Sequence, residues 1–134
     1  MSSVISQEVC GQRLIKSDLD VYLSAISGES RVDLWGGSPN KYEKWYVEDW
    51  GGKVVFKTFE ASGGFMRAQS NYMIDLVSLH PKNCPELFWT PHKNSNGTWS
   101  FESCHGTWLS FSFGSTVCCD PKLNLDGEFL LPNW

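Results

Sequence analysis

The chain has little charge, few histidines and no long apolar run. Eleven basic and fifteen acidic residues are spread over 134 positions, and the net charge is −4. A broad nucleic-acid footprint needs a basic surface, so nucleic acid is excluded as a main partner. No apolar stretch approaches the roughly 20 residues of a membrane-spanning helix, and no membrane span is expected. The opening Met1-Ser-Ser-Val-Ile-Ser-Gln lacks the basic start, apolar stretch and small-residue cleavage site of a secretory leader. Cysteines number five (Cys10, Cys84, Cys104, Cys118, Cys119), whereas oxidised secreted domains usually pair theirs. A reducing, cytoplasmic location is therefore expected. Asn96-Gly97-Thr98 fits the glycosylation pattern, but without a leader it reads as a glycine-containing turn.

Catalytic motifs are missing too. There is no nucleophile elbow, phosphate loop or His-Glu metal helix. Cys104 and His105 are neighbours, so in a strand they would face opposite sides, and a nucleophile must touch its base. His80 and Cys84 lie four apart, but structural zinc usually takes two such ligand pairs. We expect no enzymatic activity, no metal and no cofactor.

What the chain has is aromatic residues, at 14%, and a repeat. Asp20-Val21-Tyr22-Leu23-Ser24, Gly63-Gly64-Phe65-Met66-Arg67 and Gly106-Thr107-Trp108-Leu109-Ser110 recur at a step of 43 residues. Alternating runs precede each copy: Arg13–Ser17, Val54–Thr58 and Trp99–Ser103. After each copy come Val32-Asp33-Leu34, Ile74-Asp75-Leu76 and Val117-Cys118-Cys119. A polar loop follows, then a carboxylate before an aromatic-rich segment, at Glu43, Glu86 and Glu128. Apolar and polar residues alternating over about five positions mark half-buried strands. Four short strands in each of three copies give twelve, and no sustained helical period is present. Three propeller blades fall below the usual four to eight. The remaining closed solution, which leaves no sheet edge exposed, is a pseudo-threefold barrel capped by three hairpins. The expected fold is an all-β, single-domain β-trefoil over 1–134, with repeats at about 8–50, 51–95 and 96–134.

In that frame Asp20, Gly63 and Gly106 occupy tight turns that favour positive φ. Tyr22, Phe65 and Trp108, with Leu23, Met66 and Leu109, are expected to build core layers. Trp45 and Phe88, with Phe129 or Leu131, are expected to close the barrel.

Ser103-Cys104-His105-Gly106-Thr107-Trp108-Leu109-Ser110 resembles the His-Gly hairpin of the fascin-type actin-crosslinking β-trefoils. Glu43-Lys44-Trp45-Tyr46-Val47 before Gly51-Gly52-Lys53 resembles the same family, and the likeness spans roughly Gly11 to Leu131. It implies a cytoskeletal binding module for actin or another protein. Fascins carry four trefoils, so crosslinking by this single one implies a homodimer. Three histidines are too few for the histidine-rich single-trefoil actin binders.

Two surfaces are candidates for binding. Lys41, Lys82 and Lys122 stand in related loops, with Lys44 and Arg67 nearby, and a local basic cluster would steer an acidic partner such as actin. Alternatively, Trp35 beside Gly36-Gly37 and Trp50 beside Gly51-Gly52 are surplus to the barrel layers. An exposed tryptophan stacks on the apolar face of a sugar while Asp33, Asn40 and Asp49 bind its hydroxyls, which would make the protein a glycan-binding lectin. The Gln-any-Trp mark of the ricin-type sugar trefoils is absent; the nearest place reads Glu43-Lys44-Trp45. A third reading, a trefoil protease inhibitor, lacks a distinctive bait loop.

Overall fold

A computed structural model describes residues 2–25, 30–60, 64–112 and 116–134. Gly63, read above as a turn glycine, lies outside them. The first repeat contains β1 (Gly11–Arg13), β2 (Lys16–Ser17), β3 (Tyr22–Ala25), β4 (Val32–Trp35) and β5 (Trp45–Trp50). The second has β6 (Lys53–Thr58), β7 (Phe65–Ala68), β8 (Ile74–Val77) and β9 (Trp89–Lys93). The third has β10 (Trp99–Ser103), β11 (Trp108–Ser112), β12 (Thr116–Asp120) and β13 (Phe129–Leu130). The fold is a β-trefoil. The described residues hold thirteen strands rather than twelve because one barrel strand is split into β1 and β2. At the break, Leu14 N–H turns to Pro132 O, while Ile15 O accepts from Leu23 N–H.

Barrel strands pair around a ring: β1 with β5, β5 with β6, β6 with β9, β9 with β10, β10 with β13, and β13 with β2. Hairpins β3–β4, β7–β8 and β11–β12 form the cap. They meet one another through Thr116 opposite Asp33, Met73 opposite Cys118, and Leu76 N–H on Ser30 O.

The core is layered by threes. Ile15, Phe56 and Phe101 form one fully buried set, and Leu23, Met66 and Leu109 another. Trp45, Trp89 and Phe129 form a third. Trp45 and Trp89 each donate the indole N–H inward, to Leu23 O at 3.1 Å and Met66 O at 3.4 Å. These bonds satisfy a polar atom that burial would otherwise penalise.

Two core assignments change. Trp89, not Phe88, closes the barrel: the loop after β8 holds two 3-10 turns (Pro81–Asn83 and Pro85–Leu87) where the first repeat has one, Lys41–Glu43. The extra length shifts the register by one residue, which flips the inward side chain. Tyr22, Phe65 and Trp108 are half-buried on the outer face. Their neighbours Leu23, Met66 and Leu109 point inward, and adjacent residues of a strand face opposite sides.

An α-helix, α1 (Ser2–Val9), was not expected from its short, weak pattern. It packs on β5, β6 and β9 and buries Ser6 and Val9. Among the described residues no helix is long and apolar enough to cross a membrane.

Candidate functional site

The outer face of each cap hairpin is set by its register. In the first repeat Tyr22 stands opposite Trp35 and Ser24 opposite Asp33, so these four share a face. The matching positions are Phe65, Val77, Arg67 and Asp75 in the second repeat, and Trp108, Asp120, Ser110 and Cys118 in the third.

Trp35 ends β4 with 44% of its surface exposed. Its indole N–H donates to Ser38 O at 2.9 Å. A Cβ on Gly37 would lie 3.0–3.2 Å from the ring atoms, so glycine lets the loop pass flat against the indole. The indole is thus held against its own loop by Ser38 and Gly37. Gly36 passes beside Val21, bringing the Asp20–Tyr22 turn to the same spot. Asp20 adopts φ +59°, and its exposed carboxylate pairs with Lys16 at 3.1 Å. That hydrogen bond pushes the Lys16 pKa up. Asp33 accepts from Arg31 at 2.8 Å.

Against Ser24 on this same face, Glu43 is buried. It accepts from Ser24 Oγ at 2.6 Å and from Asn40 N–H at 2.8 Å. Asn40 Oδ1 in turn accepts from Tyr42 N–H at 3.0 Å, closing a capping box on the 3-10 turn. Asn40 therefore shapes the loop beneath Trp35, and its oxygen already has a partner.

Asp49 and Trp50 belong to a different neighbourhood. Asp49 accepts from Ser6 Oγ at 2.7 Å and from Gly52 N–H at 3.1 Å, tying α1 to the β5–β6 turn. Trp50 is 39% exposed, and its ring meets His80 and Phe88 edge-on at 5.8 and 5.9 Å. The sequence grouped Trp35 and Trp50 as equal candidates, whereas the fold gives only Trp35 a prepared ring backed by glycine.

The matching face of the second repeat is filled. Arg67 donates twice to Asp75, at 2.8 and 2.6 Å, and lies 4.0 Å from Glu86. The bonds to Asp75 push the Arg67 pKa up. Glu86 also meets His105 Nε2 at 2.7 Å. Val55, Cys84 and Leu87 pack beneath with Phe65, Val77 and Phe88.

In the third repeat Trp108 lies 4.9 Å from the His92 ring, and His92 Nε2 meets Glu102 at 3.0 Å. Asp120, opposite Trp108, accepts from Lys122 N–H and Asn124 Nδ2. Sequence reasoning placed Trp108 in the core and missed this group. Strand alternation against Leu109 was the signal that could have found it. Burial pushes the Cys119 thiol up to about 11, leaving it a poor nucleophile.

The basic set is dispersed. Lys41 pairs with Glu60 at 2.7 Å, Arg67 is held as above, and the Lys44 ammonium sits over the Phe59 and Trp134 rings. Lys82 and Lys122 are exposed on separate loops, without an ion pair among the described residues. His80 Nδ1 accepts from Lys82 N–H as a turn cap, and no group of three metal-ligating side chains occurs among the described residues. A cleft of about 120 Å³ between Asp18, Asn96, Thr98, Leu125, Glu128 and Leu130 contains no aromatic ring.

No family model matches the chain, and no curated protein matches it in sequence. Solved structures do match in fold. The chain is similar to SeviL bound to asialo-GM1 saccharide, with TM-score 0.79 and 11% identity over 92% of this chain and 98% of that one. It is also similar to the Polyporus squamosus lectin bound to the epitope Neu5Acα2-6Galβ1-4GlcNAc, with TM-score 0.75, 16% identity, 91% of this chain and 48% of that one. A GlcNAcα1-4Gal-releasing endo-β-galactosidase from Clostridium perfringens matches with TM-score 0.78 and 16% identity, over 90% of this chain and 31% of the enzyme. At such identities the likeness establishes the β-trefoil fold and nothing finer.

Proposed function

We propose that this trefoil is a non-catalytic glycan-binding module whose site is the outer face of the first repeat. One observation carries the reading: Trp35 is an exposed indole held by Ser38 and Gly37. A sugar stacks its apolar C–H face on such a plate. Because the ring is already ordered, binding costs less conformational freedom. Asp33 and Tyr22 share the face with Trp35 and supply acceptors and a donor for the hydroxyls. The lectin neighbours, with their bound saccharides, support this reading over a cytoskeletal one.

Actin binding loses its motive when Lys41, Lys44 and Arg67 already have partners within the chain. Salt separates the two readings. Binding through lysines weakens steeply with ionic strength, whereas stacking a neutral sugar scarcely changes.

The test is a glycan array followed by calorimetry on the best binder. Trp35→Ala should weaken binding by roughly 100-fold or more, as for a central aromatic anchor. Its circular dichroism should match that of the parent. An array without a binder, or full affinity in Trp35→Ala, would overturn the proposal.

A further inference from the structure

Tyr46 and Phe59, from the β5–β6 hairpin and its edge, meet the distant Trp134 beside β5. Tyr46 and Trp134 are edge-on at 5.2 Å, Phe59 and Trp134 at 5.5 Å, and Tyr46 lies parallel to Phe59 at 6.3 Å. Trp134 is anchored: its indole N–H is shared between Arg13 O and Trp45 O, each at 3.1 Å. The Lys44 ammonium occupies the notch, 5.1 Å from the Trp134 centroid and 5.5 Å from that of Phe59. Both distances fall within the roughly 6 Å reach of a cation–π contact.

Lys44 has no ion pair among the described residues, and the contacts its ammonium makes there are with the Phe59 and Trp134 rings. A simple ammonium is strongly hydrated and gains little from leaving water. A methylated ammonium sheds water more readily, and aromatic walls recognise it on that account. We propose that the Phe59–Trp134 notch, buttressed by Tyr46, is a binding site for a methylated lysine side chain of a partner protein, with Lys44 as its built-in competitor. The resident side chain argues for this occupant: a butyl-ammonium arm already fits between the rings. The site is separate from the Trp35 face, and the glycan reading does not bear on it.

The experiment follows the indole N–H resonance of Trp134, assigned from its loss in Trp134→Phe, while free trimethyl-lysine is added to the whole chain. Lys44→Ala vacates the notch and should give a saturable shift, with the parent roughly tenfold weaker because it must first displace its own lysine. Adding Phe59→Ala to Lys44→Ala should abolish the shift. Lys44→Ser, which also vacates the notch, serves if the alanine variant folds poorly. No shift in either variant at ~100 mM ligand would overturn the proposal, since that lies beyond the weakest specific binding expected. An equal shift from a neutral tert-butyl analogue would do so as well. Binding of phosphatidylcholine vesicles without binding of trimethyl-lysine would also overturn it, in favour of a membrane surface.

Discussion

In the first repeat the outer hairpin face presents Trp35 against Gly37, with the buried Glu43 carboxylate bracing the loop through Ser24 and Asn40. In the second, Val77 replaces the tryptophan, Leu87 takes the place of Glu43 in the 3-10 turn, and an Arg67–Asp75 pair spans the space. The backbone is the same hairpin in both. A pseudo-threefold scaffold therefore fixes where a face lies. A handful of side chains decides whether that face is satisfied by its own chain or left ready for another molecule.

The largest disruption of this contrast outside the stacking ring itself is Glu43→Ala. It leaves the buried Ser24 Oγ and the partly buried Asn40 N–H without their acceptor. The expected loss is about 2–4 kcal/mol, read as a melting temperature lower by roughly 10 °C, with glycan binding weakened as the loop loosens. Arg67→Ala attacks the other side and strands the Asp75 carboxylate. Urea unfolding should lose about 1–2 kcal/mol, while glycan affinity stays at the parental value because Val77 offers no plate. Gly37→Ala sharpens the comparison most finely. Its Cβ would crowd the indole from below and tilt it, so calorimetry should read a few-fold weaker binding with stability changed by under about 1 kcal/mol. Parental affinity in that variant would show that the ring's support is incidental.

Much of the architecture was legible because Leu23, Met66 and Leu109 recur at an even step, and a threefold core must repeat its inward residues. The same evenness misled at Phe88. A longer loop displaced the register there, and counting by 43 cannot see a turn that closes on itself through Cys84 N–H and Pro81 O. Tyr22, Phe65 and Trp108 were misplaced because hydrophobicity alone does not say which side of a strand a ring takes, whereas alternation with Leu23 does. Trp35 was singled out by its glycine neighbours, and the loop does run flat against its ring. Asn40 and Asp49 were chosen for their hydrogen-bonding capacity, and that capacity is spent largely on the backbone of turns. Asx residues suit sugar hydroxyls and turn amides equally well. Trp134 went unnoticed because its partners Tyr46 and Phe59 lie far away in sequence and only ring closure unites them.

That closure governs how the chain acquires its shape. The strand split at Leu14 finds its partners in Phe129, Leu130, Pro132 and Asn133, which come much later in the sequence. During synthesis the hairpins β5–β6 and β9–β10 can pair as they emerge from the ribosome, but the cylinder cannot shut until Phe129 to Asn133 have been made. Such distant pairing slows folding and leaves inner rings uncovered in the nascent chain. Chaperone dependence during translation, relieved by a rearranged gene that encodes Gly11 to Ser17 directly beside Phe129 to Asn133, is what this wiring entails.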